Sequence, residues 1–438
     1  MKPSSAPIAL AVVLALFIAP APGLRAQSSS DLFNSQVLHR LDLAIHTGDW
    51  AKLKENFQEN EYYPVDLIWN GETIRNAGVR SRGFGTRSRT KPSLKVSFDH
   101  YASAQSYFGL KSLVLDNLLQ DASGVHETVT SWFFSRFAIP APRAAHAVLY
   151  VNGEFAGLYA MIEPIDKNLL ARVFGSVEDD VQNDGYLYEF NKVAEWRWSY
   201  LGPELEPYKA YFSAKTHETK SDEELYRPIE ALIRLINDTP SSSLVEALGP
   251  HLDLPGLVRY LAVENFLGEN DGFLGEWGVN NFYLYRLENK QQHVFIAWDD
   301  DLTFWGGPTY DLLSFHDSNV LMRKIMEVPD LRALYLTTLL DAAVAAAEVP
   351  ADSTIGVLET EIRRELGLVD AAMRADPFKP YSETEFQTAS DLMTQYAPQR
   401  VTFVLCEVER LTGRPSGCSS GRSQATSRSN PRRPGGRE

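Results

Sequence analysis

The chain contains 438 residues, of which 44% are hydrophobic and 23% are charged, and its formal net charge at pH 7 is −15. A chain of this length and apolar content can bury a sizeable core. The acidic balance argues against nucleic acid and anionic membrane surfaces as partners, because both attract positively charged proteins.

Residues 1–26 are predicted to be a secretory signal peptide. Lys2 supplies the basic start, Ile8–Ala19 forms an apolar core, and Leu24–Ala26 is a plausible small-residue cleavage site. The apolar core is about a dozen residues long, which is too short to span a bilayer comfortably. No later segment reaches spanning length. We therefore expect an exported protein (periplasmic, surface-bound or secreted) without an integral membrane segment.

Residues 27–413 are predicted to form one bilobal domain, because no Pro/Gly/Ser linker divides them. They carry 56 acidic and 34 basic residues, a net charge of −22. Residues 414–438 consist mainly of Ser, Gly, Pro and Arg with a net charge of +5, which predicts a disordered basic tail. Cys406 and Cys418 straddle the boundary. Export permits a disulfide between them, whereas the apolar surroundings of Cys406 fit a buried free thiol equally well.

The first predicted elements are a β-hairpin and a glycine-containing loop. Asn70-Gly71, a strong hairpin signal, separates the strand-like runs Val65–Trp69 and Ile74–Arg80. The loop Arg80–Arg89 follows, and it precedes another strand-like run at Ser93–Phe98. Backbone N–H groups and arginines in such a loop can bind phosphate, although Gly-x-Gly alone usually marks a turn.

Helical spacing then predicts a helix over Val125–Phe137, with Asp121 as a candidate N-cap. A second hairpin follows, in which Asn152-Gly153 joins Val148–Val151 to Gly157–Ile162. The remaining predictions are a strand at Tyr186–Phe190 and helices at Asn168–Phe174, within Ser221–Leu248, and at Leu254–Phe266, Leu331–Ala347, Ile355–Met373 and Arg400–Leu411.

The segment Asn270–Phe304 carries the pattern that points most directly to chemistry. Asp271 lies in an Asn-Asp-Gly turn, Asn281 begins a strand-like run, and Asp299 follows a second such run. A polar turn at Leu287–Gln292 would join the runs as a hairpin and bring the three side chains to one end of a sheet. Phosphoryl transfer uses such a set: one carboxylate orients the hydroxyl, while an amide and a carboxylate hold the metal. Read separately, the turn and the acidic triplet would be solvated loops.

This order of motifs resembles that of the CotH-type spore coat protein kinases. The family hallmark is an Asp, an Asn-aromatic-Tyr-x-Tyr strand and a Trp-Asp-x-Asp step, matched here by Asp271, Asn281–Tyr285 and Trp298–Asp301. The resemblance extends from Asp42 to Leu411. It implies an α+β, bilobal, atypical protein kinase-like fold, with a mostly antiparallel N-terminal sheet and a larger, mainly helical C-terminal lobe. It also implies transfer of the ATP γ-phosphate to hydroxyl groups of protein substrates.

The resemblance implies a role for each candidate residue. Asp271 would be catalytic, and Asn281, Asp299 and Asp301 would hold Mg²⁺ or Mn²⁺, because these ions prefer hard oxygen ligands. Asp300 is expected to face away. The candidates for ATP binding are Arg82 and Gly83 in the loop, Lys91 or Lys95 after it, Glu127 as the helix partner of that lysine, and Glu163 in the hinge. The alternative for each is structural; a glutamate in a first helical turn, for example, also complements the helix dipole.

Two other functions compete with a kinase. A non-catalytic surface or adhesion module could keep the same fold, since members of this family also act as cell-surface ligands and ATP is scarce outside the cytoplasm. The presence of Asp271, Asn281 and Asp299 together favours the enzyme, but the chain lacks His-Arg-Asp and Asp-Phe-Gly triplets, so this hypothesis depends on the resemblance. A calcium loop at Asp299–Asp301 is disfavoured because the EF-hand ligand pattern and its glycine are absent.

Overall fold

The computed structural model of the protein describes residues 27–175 and 182–418. The predicted signal peptide and residues 419–438 of the predicted tail therefore lie outside the described residues. Within the described ranges the chain forms an N-terminal barrel, a smaller sheet and a mainly helical C-terminal part. In this part of the chain, no helix combines the length and the apolar character needed to cross a membrane.

Seven N-terminal strands form a closed barrel. They are β1 (His39–Ile45), β2 (Tyr63–Trp69), β3 (Glu72–Ser81), β4 (Leu94–Ser97), β5 (Ser112–Asp116), β6 (Ala144–Val151) and β7 (Glu154–Ile162). Their order around the barrel is β1-β2-β3-β4-β5-β7-β6. Neighbouring strands are antiparallel except β1 and β6, whose parallel pairing closes the barrel. Closure leaves the barrel without a free edge strand.

Both predicted hairpins are confirmed as β2–β3 and β6–β7. Their turn residues adopt left-handed backbone conformations, with φ of 49° and 83° at Asn70 and Gly71 and of 52° and 86° at Asn152 and Gly153. A two-residue hairpin turn needs positive φ at both positions, and Asn and Gly tolerate it best. Local chemistry therefore specifies both turns, whereas the register of each strand pair shifts away from the turn, between Val65 and Leu67 and between Leu149 and Tyr150.

Four helices accompany the barrel: α1 (Ser29–Leu32), α2 (Thr47–Glu55), α3 (His126–Arg136) and α4 (Lys167–Phe174). The helix predicted over Val125–Phe137 is confirmed as α3, between β5 and β6, which buries Val129, Phe133 and Phe134. The side chain of Asp121 accepts a hydrogen bond of 2.8 Å from the backbone N–H of His126 and so satisfies a donor at the start of α3.

The C-terminal part contains a four-stranded sheet and eight helices among the described residues. The strands are β8 (Tyr186–Phe190), β9 (Phe212–Ala214), β10 (Phe282–Arg286) and β11 (His293–Ala297), in the antiparallel order β11-β10-β8-β9. The helices are α5 (Glu206–Tyr211), α6 (Asp222–Asp238), α7 (Leu244–Leu248), α8 (Leu254–Phe266), α9 (Val320–Glu327), α10 (Pro329–Ala347), α11 (Val357–Ala375) and α12 (Glu383–Thr412). The predicted α+β class, with a mainly antiparallel N-terminal sheet and a larger helical C-terminal part, is confirmed.

The last helix is longer than predicted and holds the end of the domain. It contains 30 residues and runs through Pro398, whereas the sequence predicted only its second half. Its Arg400 is fully buried and donates hydrogen bonds to the backbone carbonyls of Phe266 (3.0 Å) and Asn265 (2.7 Å), which ties α12 to the end of α8. The same carbonyls at the end of α8 also accept hydrogen bonds from the backbone N–H of Gly268 and the hydroxyl of Tyr396.

Of the two alternatives for the cysteines, the structure shows the disulfide between Cys406 and Cys418. Gly413 ends α12 in the left-handed conformation, and the chain then turns back along the helix. The described structure therefore continues five residues past the predicted boundary at Gly413, up to Cys418.

Candidate active site

A cleft of about 890 Å³ lies between the barrel and the small sheet. This volume is typical of sites for small molecules and cofactors. Its walls come from the β3–β4 loop, the end of β5, the segment after β8, the α8–β10 loop and the end of β11. The lining residues used below are Arg82, Gly83, Asp116, Lys192, Asp271, Trp277, Asn280, Asn281, Asp299 and Asp301. Six predicted site residues thus meet in one cleft: Arg82, Gly83, Asp271, Asn281, Asp299 and Asp301.

Two neighbouring amides hold the carboxylate of Asp271. The Nδ2 groups of Asn280 and Asn281 donate hydrogen bonds of 3.1 and 3.2 Å to it, and the Lys192 ammonium lies 3.9 Å away. Burial raises the pKa of Asp271, and the hydrogen bond from Asn280 and the charge of Lys192 oppose that effect. The carboxylate is therefore oriented toward the cleft with little freedom to rotate.

The acidic triplet follows β11 and supplies two carboxylates to the cleft. Asp299 has a φ of 61°, in the left-handed region that Asp and Asn adopt more often than most other residues with a side chain. Burial raises the pKa of Asp299 to about 6, the Arg82 guanidinium opposes the rise, and Asp116 and Asp271 add to it. Burial and the charge of Asp299 raise the pKa of Asp301 well above its ordinary value. A bound cation would relieve this repulsion.

The glycine-containing loop forms the opposite wall. Gly83 has a φ of 101°, which favours glycine, and the neighbouring Phe84 is 99% exposed at the tip of the loop. The Arg82 guanidinium lies 5.5 Å from the Trp298 ring centre and 3.9 Å from the carboxylate of Asp116. The loop therefore presents one positive charge to a cleft that is otherwise rich in carboxylates.

The side chains of two predicted nucleotide-binding residues, Lys91 and Glu163, form buried ion pairs. The Lys91 ammonium is 1% exposed and lies 2.7 Å from the buried carboxylate of Asp376, so this ion pair replaces the predicted contact with phosphate. The carboxylate of Glu163 is 1% exposed and pairs with Arg143 at 2.7 Å and with Arg172 at 2.6 Å. The backbone N–H of Glu163 also bonds to the carbonyl of Arg143, so neither its carboxylate nor its N–H is free. A hinge role for the backbone carbonyl of Glu163 stays a prediction.

The predicted pair between Glu127 and a strand lysine is also corrected. Among the described residues, Glu127 forms no ion pair with Lys95 or Lys91, and it does not line the cleft. It is buried beside the acidic triplet, and burial followed by the charges of Asp300 and Asp299 raises its pKa well above the ordinary value. Burial, and next the positive charge of Arg80, lower the pKa of Lys95. Phosphate binding by Lys95 stays a prediction.

The sequence analysis missed three cleft residues that contact predicted site residues: Asn280 and Lys192 beside Asp271, and Asp116 beside Arg82. Asn280 directly precedes Asn281, so the doubled amide was a visible signal. Asp116 ends the apolar strand β5, and the Ser93 hydroxyl donates a 3.1 Å hydrogen bond to it. The sequence around Lys192 carries no motif that would mark it as a site residue. The fold places it, from the segment after β8, beside Asp271.

A second group of carboxylates lies behind the α8–β10 loop. Glu269 accepts a hydrogen bond of 2.6 Å from the backbone N–H of Asp271, and Glu264 accepts one of 2.8 Å from the hydroxyl of Tyr260. Asp300 is buried near both glutamates rather than in the cleft, as expected for a residue that faces away from it. Burial raises the pKa of Glu264 to about 8, so this carboxyl group keeps its proton at neutral pH.

The donor set of the cleft suits a hard divalent cation. Two carboxylates and an amide, those of Asp299, Asp301 and Asn281, are the oxygen ligands that Mg²⁺ and Mn²⁺ prefer. Within residues 27–175 and 182–418, no three His, Cys, Asp or Glu side chains are gathered into a metal cage. An ion here would therefore also use the amide of Asn281 and oxygen ligands from water or a bound phosphate compound, as Mg²⁺ commonly does.

Comparison with known proteins gives a family match, one similar sequence and one solved structure. The family described as CotH kinase protein matches residues 79–404. The inner spore coat protein H of Bacillus subtilis (strain 168) is 23% identical over 384 residues, which cover 85% of this chain and 98% of that protein. The crystal structure of a Helicobacter pylori proinflammatory kinase, CtkA, aligns with a TM-score of 0.32 and 9% identity, covering 73% of this chain and 94% of that one.

Proposed function

Because the chain belongs to the CotH kinase family, we propose that it is a protein kinase that transfers the γ-phosphoryl group of ATP to hydroxyl groups of a protein substrate. One observation carries this proposal: Asp271, Asn281 and Asp299 line a single cleft together with a glycine-containing loop that presents Arg82. Phosphoryl transfer is catalysed mainly by positioning and charge stabilisation, which these groups can provide.

Each residue of the cleft has a separate task in this proposal. Asp271 orients the acceptor hydroxyl and accepts its proton as the new O–P bond forms and the bond between the γ-phosphorus and the bridging oxygen breaks, releasing ADP. Asn281 donates its N–H group to Asp271 and keeps its carbonyl oxygen for a cation. Asp299 and Asp301 would complete the ligand set for Mg²⁺ or Mn²⁺, which supplies positive charge to the phosphates. Arg82 adds a further positive charge at the loop.

We also propose that the protein acts after export. The disulfide between Cys406 and Cys418 supports this, because such bonds persist in oxidising compartments and are rare in the cytosol. The composition of residues 1–26 supports it independently.

Labelling with [γ-³²P]ATP and Mg²⁺ or Mn²⁺ tests the proposal on the purified mature chain. Wild-type protein should incorporate label into itself or an added acceptor protein. Asp271→Ala should not, whereas Asp352→Ala, a change at an exposed loop position outside the cleft, should behave as wild type. Absence of labelling in a folded wild-type chain with either metal would favour the non-catalytic surface module instead.

A further inference from the structure

The side chains that line the cleft carry few positive charges. Among the described residues of the lining, two are basic, Arg82 and Lys192. Five are acidic: Asp116, Glu195, Asp271, Asp299 and Asp301. The triphosphate of ATP and the phosphoryl group in transfer are strongly anionic, so each basic side chain in this cleft matters to a bound nucleotide. The position of Lys192 therefore decides which phosphate it can contact.

The backbone next to Lys192 is anchored to the small sheet. Lys192 lies two residues after the end of β8. The backbone N–H of Asn191 donates a 2.7 Å hydrogen bond to the carbonyl of Tyr211, and its side-chain Nδ2 donates one of 2.7 Å to the hydroxyl of Ser213 on β9. These two bonds fix the residue before Lys192, so the lysine side chain enters the lining of the cleft from a defined point.

The ammonium of Lys192 has N–H donors left for a ligand. Its Nζ lies 3.9 Å from Oδ1 of Asp271, which is beyond ordinary hydrogen-bond length. In the described part of the chain no other carboxylate lies within ion-pair distance of it, and the side chain is 28% exposed. An ammonium carries three donors. The group is therefore attracted to Asp271 without being bonded to it, and it is open to the cleft.

Neither lysine predicted from the sequence has an equivalent place. Lys91 is buried against Asp376, and Lys95 does not line the cleft. Arg82 lies on the opposite wall, beside Asp116. Lys192 is thus the basic side chain beside the carboxylate that is proposed to orient the acceptor hydroxyl. In an in-line transfer the phosphoryl group moves toward that hydroxyl, so its oxygens approach a cation in this position.

We propose that Lys192 is a catalytic residue that binds the γ-phosphoryl group of ATP. Its ammonium donates hydrogen bonds to the oxygens of that group while the bond to the acceptor oxygen forms and the bond to the bridging oxygen of ADP breaks. The acceptor proton passes to Asp271, and Lys192 keeps its protons throughout. A positive charge already in place stabilises the charge that spreads over the transferred oxygens. The inference rests on the proposed function, because it takes the γ-phosphoryl group to be what enters the cleft beside Asp271.

Calorimetric titration of the full mature chain measures this contact without transfer. The probes are Mg-ADP and the magnesium complex of adenylyl imidodiphosphate, an ATP analogue whose terminal phosphoryl group is not transferred. Lys192→Met should weaken binding of the analogue about tenfold, the equivalent of one charge-assisted hydrogen bond, and leave the affinity for Mg-ADP unchanged. Lys192→Arg keeps the charge and should retain most of the affinity for the analogue. Lys52→Met, at an exposed position on α2 outside the cleft, should match wild type with both nucleotides.

Turnover and stability separate a catalytic role from a structural one. Lys192→Met should lower kcat for labelling about 10²–10³-fold, as the loss of a group that stabilises transition-state charge does, while its melting temperature stays at the wild-type value. A lysine that only supports the fold would instead lower the melting temperature and the affinity for both nucleotides.

The outcomes distinguish this proposal from the proposed function. If Lys192→Met binds the analogue as tightly as wild type does, or loses both nucleotides equally, the role of Lys192 is overturned, and labelling by the wild-type chain would still support the kinase. A selective loss of the analogue in a chain that never incorporates label would keep the contact between Lys192 and the terminal phosphate and remove the kinase function. A folded wild-type chain that binds neither nucleotide would overturn both.

Discussion

Replacement of Glu264 by glutamine should stabilise the folded protein, and the gain should increase with pH. The carboxyl group of Glu264 is 3% exposed, and its Oε1 lies only 2.2 Å from the position that a Cβ atom on Gly272 would occupy. Burial raises its pKa from 4.5 to about 8. The protonated acid is therefore the form that the folded protein prefers, and glutamine is its neutral counterpart of similar shape.

The direction of this pH dependence follows from proton binding in the folded and unfolded states. The unfolded chain releases the proton of Glu264 near pH 4.5, whereas the folded protein holds it to about pH 8. Between these values the folded state binds more protons, so wild-type stability falls as the pH rises. Each pH unit in this range lowers the free energy of unfolding by about 1.4 kcal/mol. The wild-type protein should therefore lose about 3 kcal/mol of stability between pH 5 and pH 8. Glutamine does not titrate, so Glu264→Gln should escape this loss.

Urea unfolding at pH 5 and pH 8 measures the effect as the change in free energy of unfolding relative to wild type. The control is Glu246→Gln on α7, an exposed position where we expect less than about 0.5 kcal/mol at either pH. A Glu264→Gln variant whose advantage stays constant between the two pH values would refute the reasoning, since it would mean that Glu264 is ionised in the folded protein.

Four further outcomes are expected. Asp299→Ala should remove Mg²⁺-dependent ATP binding in calorimetric titration while the protein stays folded, and an unchanged affinity would exclude Asp299 as a ligand. Asp271→Asn should bind Mg-ATP almost normally but lose about 10²–10⁴-fold in kcat, because an orienting base acts mainly in the transition state. If this variant labelled at the wild-type rate, Asp271 would be only a turn residue. Cys406→Ser should lower the free energy of unfolding by no more than about 3 kcal/mol, as measured under oxidising conditions, because the disulfide closes a short loop. Deletion of residues 419–438, which retains the disulfide, should leave the melting temperature and Mg-ATP affinity unchanged, since their composition offers little apolar surface to bury; a fall of many degrees would show that they belong to the fold.

Local sequence determined the features that depend on near neighbours. Asn70-Gly71 and Asn152-Gly153 specify hairpin turns through their own backbone preferences, and the apolar period of Leu254–Phe266 gives α8 with the observed bounds. The order of Asp271, Asn281 and Asp299 around one hairpin was enough to predict that they lie together, because antiparallel pairing over a short turn leaves few alternatives.

Tertiary structure alone decided the contacts between distant segments. The parallel pairing of β1 with β6 closes the barrel by joining strands about a hundred residues apart in the sequence. No local sequence pattern predicts this pairing. Lys91 was predicted to reach phosphate from its place after the loop, yet packing brings the carboxylate of Asp376 to its ammonium. The two arginines around Glu163 likewise come from different elements. A buried charged side chain pairs with the opposite charge that the fold places beside it. The residues adjacent to it in the sequence do not identify that partner.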